Sequence, residues 1–315
     1  MTRVLRAAVV GVGALGQHHA RIYAARGDVE LVAVVDTDRG RAEAVAARHA
    51  TRPLTYVGSL LGEVDVASVA VPTIAHHDVA LRLLASGVHV LVEKPIGGSL
   101  DEATAMIEAA RNAGRVLHVG HTERFNPAVQ AARSLVKDPR FLECQRLGTF
   151  ARRSLDVDVV LDLMIHDIDV VLSLVGQPVE RIDAVGVNAL TDKVDIANAR
   201  LRFVNGAAAN LTASRISMGK TRKLRIFQPA SYLSIDYASR QVQHYCLERP
   251  GGAAPRIVGS ELSVDEAEPL AREIDAFLRA AAGGADEGVS GEQARAALHV
   301  ALQVIAEIGP PTPRR

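Results

Sequence analysis

The chain has 315 residues, with 36 basic and 36 acidic side chains in balance. That length suggests about two domains and a substantial core, and the charge balance excludes a general field for nucleic acid or an anionic membrane, so any anion recognition must be local. Cys144 and Cys246 are too few and too far apart for a zinc site or a disulfide framework, which fits a reducing compartment. No basic-then-apolar leader opens the sequence, and no apolar run approaches the roughly 20 residues that span a bilayer. The expectation is a cytoplasmic protein without a membrane anchor.

The first elements read as strand, glycine turn and helix. Residues Leu5 to Val10 are apolar and run into Gly11-Val12-Gly13-Ala14-Leu15-Gly16, followed by a helical stretch from Gln17 to Arg26. Glycine suits Gly11 for a tight turn, Gly13 for close approach of backbone to a pyrophosphate, and Gly16 for helix-on-strand packing. The free N–H groups and partial positive charge at the helix start would face the phosphates, with Ala14 and Leu15 in the same loop. A second strand, Leu31 to Val35, ends in Asp36, about 20 residues past the last glycine, where a carboxylate would accept from ribose hydroxyls. The pattern predicts a bound NAD: Asp36 repels the 2′-phosphate of NADP, although Arg39 and Arg41 lie close enough to weaken that preference. The plain alternative is a glycine turn in an ordinary parallel sheet.

Alternation continues through a helix at Arg39 to Arg48, a strand at Val64 to Val71, a helix at Ala75 to Ala85, a strand at His89 to Val92, a helix at Leu100 to Asn112 and a strand at Arg115 to Val119. That is a doubly wound parallel sheet, a Rossmann domain over residues 1–120. Ligands of such sheets bind at the carboxyl ends of the strands, which makes Pro72, Thr73, His76, Glu93 and Lys94 candidate cofactor contacts. Lys94 follows a wholly apolar strand and precedes Pro95, which would stiffen its loop. It is also the first candidate for catalysis, against the reading of a solvated loop lysine. His76 and His77 are equally readable as polar helix-start residues, and His18 and His19, being adjacent, face different directions and make no metal pair.

Past Gly120 the periodicity changes, and residues 121–315 read as a second, α+β domain for substrate binding and oligomerisation. Its first segment, His121 to Pro127, is dense in polar groups. Arg124 could fork onto a phosphate or carboxylate and Asn126 can donate and accept, or the segment is a linker whose arginine pairs with a surface acid. A helix comes next, at Ala128 to Val136. The apolar run Val160 to Val171 then carries Asp162, His166 and Asp169, which in a helix fall at i, i+4 and i+7 on one face. Burying such groups costs several kcal/mol, roughly, per ionised group unless partners or function compensate.

Short strand-like runs at Arg181 to Asn188, Ala197 to Val204, Ala207 to Ala213, Lys223 to Gln228, Tyr232 to Tyr237 and Val242 to Cys246 imply a mainly antiparallel open sheet. One face is expected under the helix of His166, and the other is expected to build a homodimer or homotetramer. Arg215, Lys220, Arg222 and Lys223 cluster at one connection, where they could meet an anionic group or form a solvated turn. Two alanine-rich helices, Pro269 to Ala282 and Glu292 to Ile308, close the chain as packing elements.

The segments GVGALGQHHARIY, PTIAHH, VLVEKP and DLMIHDID together resemble the Gfo/Idh/MocA oxidoreductase family over nearly the whole chain. The resemblance implies NAD-dependent oxidation or reduction of sugar and cyclitol carbinols, with the EKP lysine at Lys94, the acid and histidine four apart at Asp162 and His166, and Asp169 at the acid three residues on. Many members carry glycine two residues before the histidine, where this chain has Met164. GHTERFNPAV with DLMIHDID resembles instead the branch of UDP-N-acetylglucosamine 3-dehydrogenases and related UDP-sugar 3-dehydrogenases, whose 3-keto products feed amino-sugar synthesis for lipid A or surface polysaccharides.

These readings make His166 the base, Lys94 the group that stabilises the reacting oxygen, and Asp162 its support. Arg124, Asn126, Asp162, His166 and Arg215 are the expected substrate contacts. Asp169 is expected to hold the helix in place. No metal is expected, because hydride transfer to NAD needs none. A free-sugar or inositol dehydrogenase is the alternative within the family, and a non-catalytic NAD-binding sensor or assembly subunit is the alternative outside it.

Overall fold

The computed structural model describes residues 4–150, 157–249 and 254–310. The chain divides into two compact units, Met1–Thr122 with Glu268–Ala296, and Glu123–Ala267 with Ala297–Arg315. No helix among the described residues is long and apolar enough to cross a membrane.

The first unit alternates β1 (Leu5–Val10), α1 (Gly16–Ala24), β2 (Val29–Val35), α2 (Arg39–His49), β3 (Arg52–Leu54), β4 (Val66–Val69), α3 (His76–Ala85), β5 (His89–Glu93), α4 (Leu100–Ala113) and β6 (Leu117–Gly120). The strands form one parallel sheet in the order β3-β2-β1-β4-β5-β6. Strands buried on both faces need near-continuous apolar sequence, and every residue of β4 is buried. Capping is local: the Asp38 side chain accepts from Arg41 N at the start of α2 and Ser99 from Glu102 N at the start of α4, and Gly114 ends α4 in the left-handed conformation. The sequence pattern does not predict β3. That strand is three residues long, carries Pro53 and lies at the sheet edge, where proline is tolerated and a strand signal is weakest.

The second unit holds α5 (Pro127–Arg133), β7 (Phe141–Leu147), α6 (Ile165–Val175), β8 (Val179–Val187), β9 (Ile196–Phe203), β10 (Ala208–Ser214), β11 (Thr221–Gln228), β12 (Ser231–Asp236), β13 (Gln241–Glu248) and β14 (Arg256–Glu261). They build an eight-stranded sheet in the order β14-β13-β12-β11-β7-β10-β9-β8, antiparallel at every pairing except the parallel β7–β10 pair. Ile165, Ile168 and Val171 of α6 share one buried core with Leu142, Leu201, Leu211, Leu224 and Leu233 of the sheet. Two of these strands are not predicted by pattern. In β7, Leu142, Cys144 and Arg146 alternate inward between polar residues, so an arginine stands where an apolar residue would announce the strand. β14 is almost wholly exposed at the sheet edge and carries little apolar pattern.

Two helices end the chain, α7 (Pro269–Ala281) and α8 (Gly291–Ile308). Residues 121–315 do not form one unit: Ile274, Phe277 and Leu278 of α7 belong to the core that contains Val9, Tyr23 and Leu91 of the first unit. An amphipathic helix announces that it has an apolar face, but not which core receives it.

Candidate functional site

The glycine turn behaves as the sequence pattern requires. Gly11 has φ +83, and a Cβ there would lie 2.6 Å from the Ala70 carbonyl oxygen; at Gly16 a Cβ would lie 1.8 Å from the Gly11 oxygen. Both positions are closed to side chains. A Cβ at Gly13 meets nothing within 4 Å, so that backbone borders open space where a ligand can approach. Ala14 and Leu15 are exposed beside it, at the N-terminal end of α1. Asp36 is buried, and its carboxylate accepts from Val12 N at 3.0 Å, which ties the end of β2 to the glycine turn. It also accepts from Asp38 N at 2.9 Å and from Arg41 Nη1 at 3.2 Å. Arg39 turns away to Glu43, so Arg41 is the cation that meets Asp36. A turn open at Gly13, a helix start and an acid at the end of β2 fit a dinucleotide.

Three further residues expected at the cofactor lie at the carboxyl edge of the same sheet. Pro72 and Thr73 open a 3-10 turn, Thr73–Ala75, directly after β4. His76 has its Nδ1 2.9 Å from the Pro95 oxygen and its Nε2 2.9 Å from the Val71 oxygen. It is buried, and its ring joins the loop after β4 to the loop that carries Lys94. Burial pushes its pKa down against these two carbonyl bonds. Lys94 itself is half-buried and is joined to Pro95 by a cis peptide.

Glu93, also expected at the cofactor, is buried. Its Oε1 lies 3.0 Å from His19 Nε2, His19 Nδ1 lies 3.0 Å from Ser68 Oγ, and Ser68 Oγ lies 2.9 Å from the Tyr23 hydroxyl. With the carboxylate ionised, Nε2 must donate to it. Burial pushes the Glu93 carboxyl up, but the hydrogen bond and charge of His19, then the charge of Lys94, outweigh it and hold the group below the usual range. The adjacency of two histidines on α1 gives no hint of this network. The signal lies in His19 and Tyr23, four apart on one helix face.

In the second unit, Val160–Met164 form a π-helical turn that leads straight into α6. Such turns insert a residue into the helical count and are common at functional sites. Of the three groups expected on one face, Asp162 stands in this π turn and His166 and Asp169 in α6. Asp162, in the π turn, has an oxygen 3.9 Å from Arg215 Nη2, which also donates to the Val157 oxygen at 2.7 Å. His166 is half-buried in the first turn of α6, whereas Asp169 is buried. Arg215, Asp162 and His166 all belong to this unit, and Arg215 is itself buried.

Two expected substrate contacts are committed elsewhere. Arg124 is buried and donates from Nε and Nη2 to both oxygens of Asp169, at 2.7 and 2.8 Å. Its Nε and Nη2 therefore hold a carboxylate of the protein. Asn126 caps α5, its Oδ1 accepting from Ala128 N at 3.1 Å and its Nδ2 donating to Glu123 at 3.2 Å. Of the basic cluster after β10, Arg222 lies 4.0 Å from Glu123 and Lys223 3.8 Å from Asp236.

Arg146 carries no motif that marks it in the sequence, and Asp167, although inside the segment DLMIHDID, is not singled out there. Arg146 donates to both Asp167 oxygens at 2.9 and 2.8 Å and to Glu123 at 2.8 Å, and its guanidinium lies 5.4 Å from the centre of the Tyr237 ring. Burial works against the cation, but Asp167 and Glu123 outweigh it and hold its pKa well above the usual value.

Comparison with known proteins agrees with both units. Residues 5–121 match a model described as oxidoreductase family, NAD-binding Rossmann fold, and residues 127–228 match the GFO/IDH/MocA C-terminal domain. The chain is 42% identical over 304 residues to a UDP-N-acetylglucosamine 3-dehydrogenase of Acidithiobacillus ferrooxidans, covering 95% of this chain and 96% of that protein. A solved structure of that enzyme superimposes with a TM-score of 0.91 at 39% identity, covering 96% of this chain and 97% of the other. An inositol 2-dehydrogenase of Rhizobium meliloti is 25% identical over 96% of this chain and 97% of its own length.

Proposed function

The chain belongs to the GFO/IDH/MocA oxidoreductase family, whose Rossmann domain binds NAD, and on that premise we propose that it oxidises the 3-hydroxyl of UDP-N-acetylglucosamine to the 3-keto sugar. The observation that carries this reading is the 42% identity, over nearly the full length of both chains, to an enzyme named for that reaction, against 25% to an inositol dehydrogenase matched over a similar length.

In this scheme the glycine turn and Asp36 bind the dinucleotide. NAD held there would supply the hydride acceptor for the carbinol carbon. The His166 imidazole takes the hydroxyl proton, a task suited to a group whose ordinary pKa lies near neutrality and typically worth about 10²–10⁴-fold. The Lys94 ammonium donates to the same oxygen as charge builds there. Asp162 and Arg215, paired at the π turn, supply polar contacts on the substrate side. We further propose that the open sheet face makes a homodimer or homotetramer. Phe141, Phe227, Tyr232 and Tyr245 form a row across four strands there, with successive ring centres 5.6, 4.9 and 5.9 Å apart, and Phe227 and Tyr245 are more than a third exposed.

The test is incubation with NAD and UDP-N-acetylglucosamine, monitored at the absorbance of NADH and by mass analysis for a product two hydrogens lighter. Inositols and free sugars are run alongside. Turnover of an inositol or free sugar with none of the nucleotide sugar would transfer the reading to those substrates. Binding of NAD with no turnover of any would leave a sensor. His166→Ala and Lys94→Ala are each expected to reduce turnover at least 100-fold while NAD still binds.

A further inference from the structure

His166 lies in the first turn of α6, which continues without a break from the π turn Val160–Met164 and so has no side-chain cap of its own. Its acidic neighbours are held by arginines. The residues one and three places after His166 are Asp167 and Asp169, exposed only 2% and 1%. Each receives two hydrogen bonds from one guanidinium, at 2.7–2.9 Å: Asp167 from Arg146 of β7, and Asp169 from Arg124. The two forks meet behind the helix, because Arg124 and Glu123 are neighbours in the 3-10 turn Thr122–Phe125 and Glu123 accepts from Arg146 at 2.8 Å. Asn126 and Arg222 complete the surroundings of Glu123.

Stability alone does not explain this arrangement, since buried ion pairs can often be replaced by apolar side chains of similar volume with no loss, or a gain, in stability. Two planar, bidentate contacts do something an apolar patch does not: they admit one rotation and one height of the helix. Reacting groups displaced by about 1 Å can cost about 10²-fold in rate.

We propose that the Arg124–Asp169 and Arg146–Asp167 pairs are positioning residues, whose task is to fix the place and direction of the His166 imidazole. This rests on the reading of His166 as the base. The polar segment around Arg124 thereby acts on the substrate at one remove, through the helix it grips.

The decisive variant replaces one pair by apolar residues, Arg124→Met with Asp169→Leu, in the full chain. The expected result is a folded protein with a melting temperature within a few degrees of wild type and unchanged NAD binding. Its kcat on UDP-N-acetylglucosamine should be down 10- to 100-fold, and its KM within threefold. Wild-type kcat in that folded variant overturns the proposal. Arg124→Lys, which keeps the charge and loses the fork, is the second variant. It should lose at least fivefold in kcat, and an unchanged rate would also refute positioning.

A readout independent of turnover is the imidazole nitrogen NMR signal of His166, identified by its absence from His166→Ala. It should move or broaden in Arg124→Lys, and an identical signal counts against the proposal. His166→Ala separates the two layers of the reasoning: full turnover in that variant refutes the base, whereas a dead His166→Ala beside fully active pair variants refutes only the positioning.

Discussion

Substituting Gly13 separates the fold of the dinucleotide turn from its ligand. Gly13 does not share the positive φ of Gly11, and a Cβ added there meets no atom within 4 Å. Gly13→Ala should therefore cost the folded state nothing, and by restricting the unfolded chain it should stabilise by up to about 1 kcal/mol. For a protein of this size that is a rise of about 2–4 °C in melting temperature at most. The same methyl stands in the space through which a pyrophosphate would approach, so NAD should bind at least tenfold more weakly, a loss of about 1.4 kcal/mol or more. Gly16→Ala is the counterpart. Its Cβ would lie 1.8 Å from the Gly11 oxygen and 2.9 Å from the Gly11 carbonyl carbon, both backbone atoms that cannot swing aside, so it should destabilise by about 1–3 kcal/mol or more. Thermal denaturation and calorimetric titration with NAD, run on both variants, read the two effects apart. Wild-type NAD affinity in Gly13→Ala, or a melting temperature several degrees below wild type in that variant, would refute the reasoning.

Other consequences can be checked on the same protein. Glu93 has a folded pKa below the ordinary glutamate value, so its contribution to stability is present above that value and is lost as pH falls through the folded one. Denaturant titrations should accordingly show Glu93→Gln less stable than wild type at neutral pH, with the gap closing under acid; a gap constant from neutral to strongly acidic pH contradicts the assignment. Phe277→Ala should remove about 3–5 kcal/mol, because the ring is fully buried in the core that contains Tyr23 and Leu91, and an effect under about 1 kcal/mol would mean that α7 is not part of that core. Phe227→Asp together with Tyr245→Asp should convert the proposed oligomer to a monomer in sedimentation analysis; a wild-type protein that already sediments as a monomer refutes the interface.

How far the sequence can be read depends on which interactions are local. The glycine turn, Asp36 and the alternation of the first unit are legible because each rests on backbone requirements that a few adjacent residues satisfy. Gly11 takes the positive φ of its own turn, and Gly16 is closed by the Gly11 oxygen five residues before it. The buried polar networks are another matter. His19 joins Glu93 across 74 positions, and Arg146 joins Asp167 across 21, and no spacing rule connects such partners before the fold does. The same distance hides the intrachain partners of Glu93, His76, Arg124 and Asn126. A polar residue beside a strand end has the chemistry to bind something, and the sequence does not say that its partner is another part of the chain.

The helix of His166 shows where counting itself fails. At 100° per residue, Asp162, His166 and Asp169 share one face, and that arithmetic holds only if the turns between them are regular. The stretch is not regular: a π turn at Val160–Met164 precedes α6, and Asp162 lies near Arg215 while Asp167 and Asp169 engage arginines of β7 and of the turn before α5. A helix that carries four ionisable groups in an apolar run has more polar directions than one face can serve. Each acid has its own arginine: Asp162 lies 3.9 Å from Arg215, Asp167 takes the fork of Arg146 and Asp169 that of Arg124, beside a half-buried His166. Buried charge in this apolar run is thus carried pair by pair, as the cost of an unpartnered ion requires.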